Sequence, residues 1–144
     1  MRICFDMDGT IADLYGVENW LECIQNRDTK PYETAKVMVN MQVLARLLNK
    51  LQKKGYEVGI ISWLAKSGTE EYNARIAQAK RAWLNRHLTS VTFNFIEIVN
   101  YGTDKNVVLR NVDDILFDDE EHNRTTWKGT AYNVDNIIEV LKRL

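Results

Sequence analysis

The stretch that decides the fold, residues 3–10, reads Ile-Cys-Phe-Asp-Met-Asp-Gly-Thr. Its apolar first half predicts a buried β-strand, and Gly9-Thr10 ends that strand. Because side chains alternate between the faces of a strand, we expect Asp6 and Asp8 to point to the same side. Two converging carboxylates tolerate each other when a cation lies between them, and hard oxygen ligands favour Mg²⁺. Such a carboxylate can also attack phosphorus as a nucleophile. Taken alone, the two aspartates also fit a polar turn after a strand.

Length and charge limit the classes of protein to consider. A chain of 144 residues suits one domain with one core, so we expect residues 1–144 to form a single domain. The net charge of −1 gives no broad basic surface for a nucleic acid. Two local groups of basic residues are interpreted as solvated helix faces. They are Lys50, Lys53 and Lys54, and Lys80, Arg81 and Arg86.

The remaining composition predicts a reduced, cytoplasmic protein. Cys4 and Cys23 are the only cysteines, and they form neither a disulfide framework nor a zinc-binding spacing. Met1 leads directly into the first predicted strand, which leaves no room for a signal peptide. No apolar stretch approaches the length that spans a membrane.

Strand-like and helix-like segments alternate along the chain. Further strands are predicted at residues 56–61, 91–99, 114–117 and 130–134, the last at an edge. Helical spacing of apolar residues covers 14–24, 37–51 and 72–83, Asp104 caps a short helix over 105–110, and Asp135 caps a last helix. Such alternation predicts parallel βαβ units with right-handed crossovers. The expected fold is α/β, a three-layer, doubly wound, mostly parallel sheet of the Rossmann-like kind.

Polar residues follow several of these strands. Ligands of open parallel sheets bind beyond the carboxyl ends of the strands, where Asp6, Asp8, Ser62 and Asp118 are predicted to lie. Lys105 begins a predicted helix near the same edge. Phosphoryl transfer needs a nucleophile, neutralisation of the transferring oxygens and a proton donor for the leaving group. The predicted edge therefore carries candidates for every role.

Each candidate has an expected role in phosphoryl transfer. Asp6 attacks phosphorus, and Asp8 protonates the leaving oxygen and later deprotonates the attacking water. Ser62 donates its hydroxyl to a phosphate oxygen, and Lys105 neutralises the phosphate. Asp118 completes a metal site, with Asp119 as a ligand or a holder of metal-bound water. Lys66 competes with Lys105 for the neutralising role but lies close behind Ser62 in the sequence.

These residues resemble the motifs of the haloacid dehalogenase-like (HAD-like) phosphohydrolases. The first motif, Asp-x-Asp-x-Thr, matches residues 6–10, and the second, a Ser or Thr that ends an apolar strand, matches Ser62. The third, a Lys ahead of the last motif, matches Lys105. The fourth matches the pair Asp118-Asp119, which Asn123 extends to an Asp-Asp-x-x-x-Asn pattern. The motifs occur in the order typical of the family and span nearly the whole chain.

The resemblance implies a Mg²⁺-dependent hydrolase that acts through an aspartyl-phosphate. It implies metal contacts from the Asp6 carboxylate, the Asp8 backbone carbonyl and Asp118, and acid/base catalysis by Asp8, a residue that dehalogenases of this family lack. We therefore assign two overlapping sets of residues. Phosphate binding is assigned to Gly9, Thr10, Ser62 and Lys105, and metal binding to Asp6, Asp8, Asp118 and Asp119.

The chain has no room for a large cap domain, so residues 13–39 are expected to form at most a small helical cover. In this it resembles compact members such as 5′(3′)-deoxyribonucleotidases and phage-type phosphatases. The expected substrate is a phosphorylated small molecule, with a nucleotide as one candidate. A nucleic-acid end is another candidate, although the net charge lends it no support. No membrane partner is expected.

Two other classes of protein stay open at this point. A phospho-accepting, receiver-like signalling module also has paired acids after its first strand and a late lysine, but its accepting aspartate follows a middle strand, where Ser62 stands here. A catalytically silent binding protein of the same family is the second alternative. Transfer of the phosphoryl group to an acceptor other than water is also open.

Overall fold

The computed structural model, which describes residues 1–144, contains a five-stranded sheet, a small two-stranded sheet and six α-helices. The strands are β1 (Arg2–Phe5), β2 (Ala12–Asp13), β3 (Lys36–Val37), β4 (Glu57–Trp63), β5 (Phe95–Val99), β6 (Ile115–Phe117) and β7 (Thr130–Tyr132). The helices are α1 (Trp20–Gln25), α2 (Lys30–Thr34), α3 (Met41–Lys53), α4 (Glu70–His87), α5 (Glu121–Thr126) and α6 (Ile137–Lys142). No helix combines the length and the apolar character that crossing a membrane requires.

The main sheet is parallel throughout and has the order β5-β4-β1-β6-β7. Strand β1 is central, with Cys4 opposite Gly59 on one side and Leu116 on the other. The predicted edge position of the last strand is confirmed. In the receiver fold the first strand lies near an edge and the third is central, so the strand order differs from that of a receiver module.

Alternation along the strands sorts their side chains onto two faces. One face, which includes Ile3, Phe5 and Phe117, packs in the main core with apolar residues of α3, α4 and α6. The opposite face, which includes Cys4 and Leu116, packs in a smaller core with the 3₁₀ turn Lys105–Val108 and Trp127. The predicted three-layer architecture is confirmed, with one thin outer layer.

Two local predictions differ from the structure, and one small element was not predicted. The helical spacing over residues 14–24 does not form one helix, because Asn19 adopts a left-handed conformation (φ 57°) and α1 begins only at Trp20. Asp135 does not cap the last helix: it lies inside a 3₁₀ turn that Asn133 caps, and α6 begins at Ile137. The small antiparallel sheet of β2 and β3 was not predicted, because strands of two residues carry no periodicity.

Helix α4 packs as the apolar spacing over residues 72–83 predicts. The Thr69 side chain caps it by accepting a hydrogen bond from the Tyr72 backbone N–H. Its buried residues include Tyr72, Ile76 and Trp83, which were predicted to face the core. Lys80 is also buried on this helix, contrary to the prediction of a solvated basic face.

Candidate active site

The carboxyl ends of three neighbouring strands carry the candidate residues. Asp6 follows β1, Ser62 is the penultimate residue of β4, and Asp118 follows β6. Asp6 and Asp8 both line one cavity of about 590 Å³, as the alternation of side chains predicts. The same cavity is lined by Lys105, Asp118, Asp119 and Asn123.

Lys105 lies between two of the carboxylates. Its Nζ donates to Asp6 Oδ1 at 2.9 Å and to Asp118 Oδ2 at 2.7 Å, and its side chain is 3% exposed. Burial acts to lower the pKa of this ammonium, but the charges of Asp6 and Asp118 outweigh burial and hold the pKa above its usual value. Asp104 fixes the start of the turn that carries Lys105 by accepting from the Asn106 backbone N–H. Lys105 is therefore a fixed positive charge at this edge of the sheet.

Three carboxylates have the spacing of a cation site. Asp6, Asp118 and Asp119 each offer one oxygen, and these oxygens lie within 4.8 Å of one another. Burial, together with the charge of Asp6, raises the pKa of Asp118 to about 6 and that of Asp119 to about 8. Burial is the larger cause and the charge of Asp6 adds to it, so both effects disfavour the ionised carboxylates and a bound cation would favour them.

The balance of charge at the site also favours a cation. Four carboxylates, Asp6, Asp8, Asp118 and Asp119, stand against two ammonium groups, Lys80 and Lys105, which leaves two negative charges in excess when all are ionised. Carboxylate oxygens are the donors that Mg²⁺ prefers. The residues present therefore fit a divalent cation such as Mg²⁺.

Thr10 and Gly9 of the first motif lie against Asp119 of the last motif. Thr10 Oγ1 lies 3.0 Å from Asp6 Oδ2, and it accepts a hydrogen bond from the Asp119 backbone N–H at 3.2 Å. Gly9 has a φ of +78°, and a Cβ there would collide with the Asp119 carboxylate. Glycine is thus required by both its backbone conformation and the close approach of Asp119.

Asp118 is held in one orientation by its neighbours. Its Oδ2 accepts from Asn123 Nδ2 at 3.1 Å as well as from Lys105, and its Oδ1 accepts from the Glu120 backbone N–H at 2.9 Å. Asn123 is 4% exposed and lies on α5. The Asp-Asp-x-x-x-Asn spacing thus brings Asn123 onto Asp118.

Ser62 and Thr10, assigned above to phosphate binding, are fully buried and do not line the cavity. The Ser62 hydroxyl contacts Lys80, whose Nζ lies 2.7 Å from Ser62 Oγ. The phosphate-binding roles of both residues remain predictions.

Lys80 is the site residue that sequence reasoning missed. Its Nζ also donates to Asp8 Oδ2 at 2.8 Å and to the Trp63 backbone carbonyl at 2.7 Å. A signal was present in the sequence, because residue 80 lies four positions after Ile76 and so falls on the buried face of α4. A lysine on that face needs an anionic partner, and Asp8 is that partner.

Aromatic side chains form two further walls of the cavity. Tyr15 and Trp20 meet edge to face with ring centroids 4.9 Å apart, and Trp63 and Tyr101 make a tilted pair at the same separation. The exposed fractions of Tyr15 and Tyr101 are 46% and 49%. Several wall residues come from the predicted cover, residues 13–39, including Leu14, Tyr15, Trp20, Leu21, Ile24 and Tyr32.

Comparison with known proteins supports the fold. No protein-family profile and no curated protein sequence matches this chain. Among solved structures, the chain is similar to D,D-heptose 1,7-bisphosphate phosphatase from Burkholderia thailandensis, with a TM-score of 0.52. The two share 16% sequence identity over 86% of this chain and 69% of that one. This likeness confirms the predicted α/β fold.

Proposed function

We propose that this chain is a Mg²⁺-dependent phosphatase of the HAD-like class that hydrolyses a phosphomonoester through an aspartyl-phosphate on Asp6. The observation that carries the proposal is the meeting of Asp6, Asp8, Lys105, Asp118 and Asp119 on one cavity at the carboxyl edge of the sheet. The fold shared with a sugar-bisphosphate phosphatase agrees with it.

In the first step, a carboxylate oxygen of Asp6 attacks phosphorus and the bond from phosphorus to the ester oxygen breaks. Lys105 and Thr10 hold the two oxygens of Asp6, which fixes the direction of attack. The leaving oxygen takes a proton from Asp8. Burial, followed by the charge of Asp6, raises the pKa of Asp8 even though Lys80 acts to lower it, so Asp8 is suited to carry a proton.

In the second step, Asp8 accepts a proton from a water molecule whose oxygen attacks phosphorus. The bond from phosphorus to the Asp6 oxygen breaks, inorganic phosphate forms, and the Asp6 carboxylate and protonated Asp8 are restored. Lys105 donates its N–H groups to the negative oxygens throughout, without reorganisation, because it is already fixed in place.

Asp6, Asp118 and Asp119 would hold the metal, with the Asp8 backbone carbonyl as the further ligand that the family resemblance implies. When bound, Mg²⁺ screens the repulsion between the nucleophilic carboxylate and the anionic phosphate. Residues 13–39 would serve as the cover that selects the substrate.

Magnesium binding should depend on pH in a defined direction. The pKa values of Asp118 and Asp119, about 6 and about 8, lie above the unfolded value, so their protonation favours the folded metal-free protein. This stabilising contribution is complete below about pH 4, which is the pKa of an aspartate in the unfolded chain. It is lost as the pH rises through the pKa values that Asp118 and Asp119 have in the folded protein. Mg²⁺ binds the deprotonated form, so its stabilising effect grows over the same range. We expect saturating MgCl₂, relative to EDTA, to raise the melting temperature by about 5–10 °C near pH 8.5 and by less near pH 5.5.

Circular dichroism melts at the two pH values measure this difference. An Asp118→Asn variant should lose most of the increment at the higher pH. An increment that is equal at both pH values, or that survives in this variant, would contradict a metal site on these carboxylates.

The cavity walls favour a nucleotide as the substrate. Exposed aromatic pairs beside the proposed phosphate site offer flat surfaces on which a base can stack. Arg27 and Lys66 also line the cavity and add positive charge to its walls. We infer that the phosphate lies beside Asp6 and Lys105 on the cavity side while a planar group lies against one of the aromatic pairs.

Replacing Tyr101 by Leu tests this inference. We expect KM for a nucleoside monophosphate to rise about tenfold, since stacking on an aromatic ring contributes about 1–3 kcal/mol. KM for glycerol 2-phosphate, which has no ring, should be unchanged, and steady-state kinetics on the two substrates measures the contrast. Equal changes for both substrates would contradict a stacking role.

The proposed activity itself is tested with a panel of phosphomonoesters. The panel contains 5′- and 3′-nucleotides, sugar phosphates and end-phosphorylated oligonucleotides, assayed for phosphate release with Mg²⁺ and with EDTA. We expect release that requires Mg²⁺. A protein that is folded yet inactive on the whole panel would favour the catalytically silent alternative.

A further inference from the structure

We propose that Lys80 is a positioning residue that holds Asp8 and Ser62 in the arrangement that the reaction requires. This inference rests on the proposed phosphatase function. Lys80 lies in the middle of α4, outside the four motifs and behind the residues that line the cavity, and its side chain is 1% exposed. It therefore acts through the residues it contacts.

The three hydrogen bonds of Lys80 use all of its donors. An ammonium group has three N–H donors and no acceptor, and here they point to Asp8 Oδ2, Ser62 Oγ and the Trp63 carbonyl at 2.7–2.8 Å. No donor is left for a substrate phosphate. This separates Lys80 from Lys105, which lines the cavity and is suited to contact phosphate directly.

Asp8 depends on Lys80 for its orientation. Lys80 is the only hydrogen-bond partner of the Asp8 side chain, and the bond is made by Oδ2 alone. The other oxygen, Oδ1, makes no hydrogen bond within the chain and remains available for proton transfer. Without Lys80, the Asp8 carboxylate would be free to rotate away from the leaving oxygen.

The contact also sets the direction of the Ser62 hydroxyl. Because an ammonium can only donate, Ser62 Oγ must accept from Lys80, and its own proton points elsewhere. That proton has no acceptor within the chain. Lys80 therefore prepares Ser62 to donate, which is the role predicted for it toward a phosphate oxygen.

The position of Lys80 on α4 explains how one residue reaches both strand ends. The Thr69 cap fixes the start of the helix, and the buried Ile76 and Trp83 fix its rotation about its axis. Lys80 Nζ lies 5.3 Å from the centre of the Tyr32 ring, which covers the ammonium from the side of residues 13–39. The acid/base residue is thus held by a helix rather than by its own loop.

A double-mutant cycle tests the proposal. Lys80→Met, Asp8→Asn and the double variant are compared by kcat and kcat/KM with glycerol 2-phosphate and 4-nitrophenyl phosphate. We expect Asp8→Asn to lower kcat/KM for glycerol 2-phosphate by about 10²–10⁴ and Lys80→Met by about 10². Because part of the Lys80 effect passes through Asp8, the double variant should lose much less than the product of the two single losses, and the loss beyond Asp8→Asn alone reports the contact with Ser62.

The leaving group gives a second readout that a purely structural role would not change. The 4-nitrophenolate ion departs with little need for a proton, and kcat/KM covers only the steps up to the aspartyl-phosphate. Both single variants should therefore lose much less kcat/KM with 4-nitrophenyl phosphate than with glycerol 2-phosphate. A loss of equal size for both substrates would overturn the proposal, as would losses that multiply in the double variant.

The controls separate this inference from the proposed function. Wild type that is inactive on both substrates would defeat the phosphatase function, whereas active wild type with an equally active Lys80→Met variant would overturn the positioning role alone. Lys53→Met, an exposed change on α3, controls for the loss of a lysine on a helix surface. If Lys80→Met fails to fold, Lys80→Gln keeps two N–H donors, and the same contrast between leaving groups is required of it.

Discussion

Phosphate release should fall by at least about 10⁴-fold when Asp6 is replaced by Asn, because removing a nucleophile removes the reaction path itself. An amide keeps the size and one oxygen of the carboxylate but cannot form the acyl-phosphate bond. The change also removes a negative charge from the crowded site, so the Asp6→Asn protein should fold and be at least as stable as wild type in EDTA. A phosphate-release assay with Mg²⁺ measures the loss, and a thermal melt checks the fold.

A control variant and a second measurement test whether the effect is specific to Asp6. Asp113→Asn alters an exposed acid next to the buried Asp114 and should leave turnover unchanged. Mass spectrometry of acid-quenched wild type should find phosphate on the peptide that contains Asp6. Phosphate on the peptide that contains Asp118, or substantial turnover by Asp6→Asn, would contradict the assignment of the nucleophile.

The sequence was enough to predict the meeting of these carboxylates, and the reason is topological. Parallel strands end at the same edge, so acids that directly follow two apolar strands must be neighbours when the strands are adjacent. Asp6 and Asp118 satisfy this rule because β1 and β6 pair in register, with Phe5 opposite Phe117. Lys105 was predicted less directly, from its place ahead of the last motif.

Lys80 shows where the same reasoning stopped. A cluster of Lys and Arg on a helix usually faces solvent, and residues 80, 81 and 86 were interpreted in that way. The helical period separates them, because Lys80 shares the buried face with Ile76 and Trp83 while Arg81 and Arg86 lie on the exposed side. Charge type and helical position conflicted at this residue, and such conflicts are common at functional sites.

The cavity walls could not be predicted from periodicity either. Residues 13–39 fold into short elements, which include α1, α2 and the strand β3. The left-handed residues Asn19 and Arg27 and contacts with α4 help to set where these elements end. Tyr72 of α4, for example, donates from its hydroxyl to the Asp28 carbonyl at 2.8 Å. Contacts between segments that are far apart in sequence decide this region, so the sequence could not show which of its aromatic residues face the cavity.

Replacing Lys105 by Met should damage both stability and activity. Lys105 is the only ammonium that pairs with Asp6 and Asp118, and removing one partner of a buried ion pair costs about 3–5 kcal/mol. The pKa of Lys105 is raised, so in wild type its contribution is fully present below the unfolded lysine pKa, about 10.4, and is lost only above it. In the variant, the unpaired carboxylates can take up protons at low pH. We therefore expect the loss of unfolding free energy in EDTA to be larger near pH 8 than near pH 5.

Urea denaturation at the two pH values measures the stability loss, and Lys128→Met, an exposed change, should shift stability by no more than about 0.5 kcal/mol. With Mg²⁺ present, kcat/KM of Lys105→Met should fall by about 10²–10³, as expected when a fixed donor to the developing negative charge is removed. The two effects have one physical origin, since the ammonium that neutralises the resting carboxylates is also the one that neutralises the phosphate. A variant that loses stability but keeps full kcat/KM would show instead that Lys105 serves only to relieve the repulsion between Asp6 and Asp118.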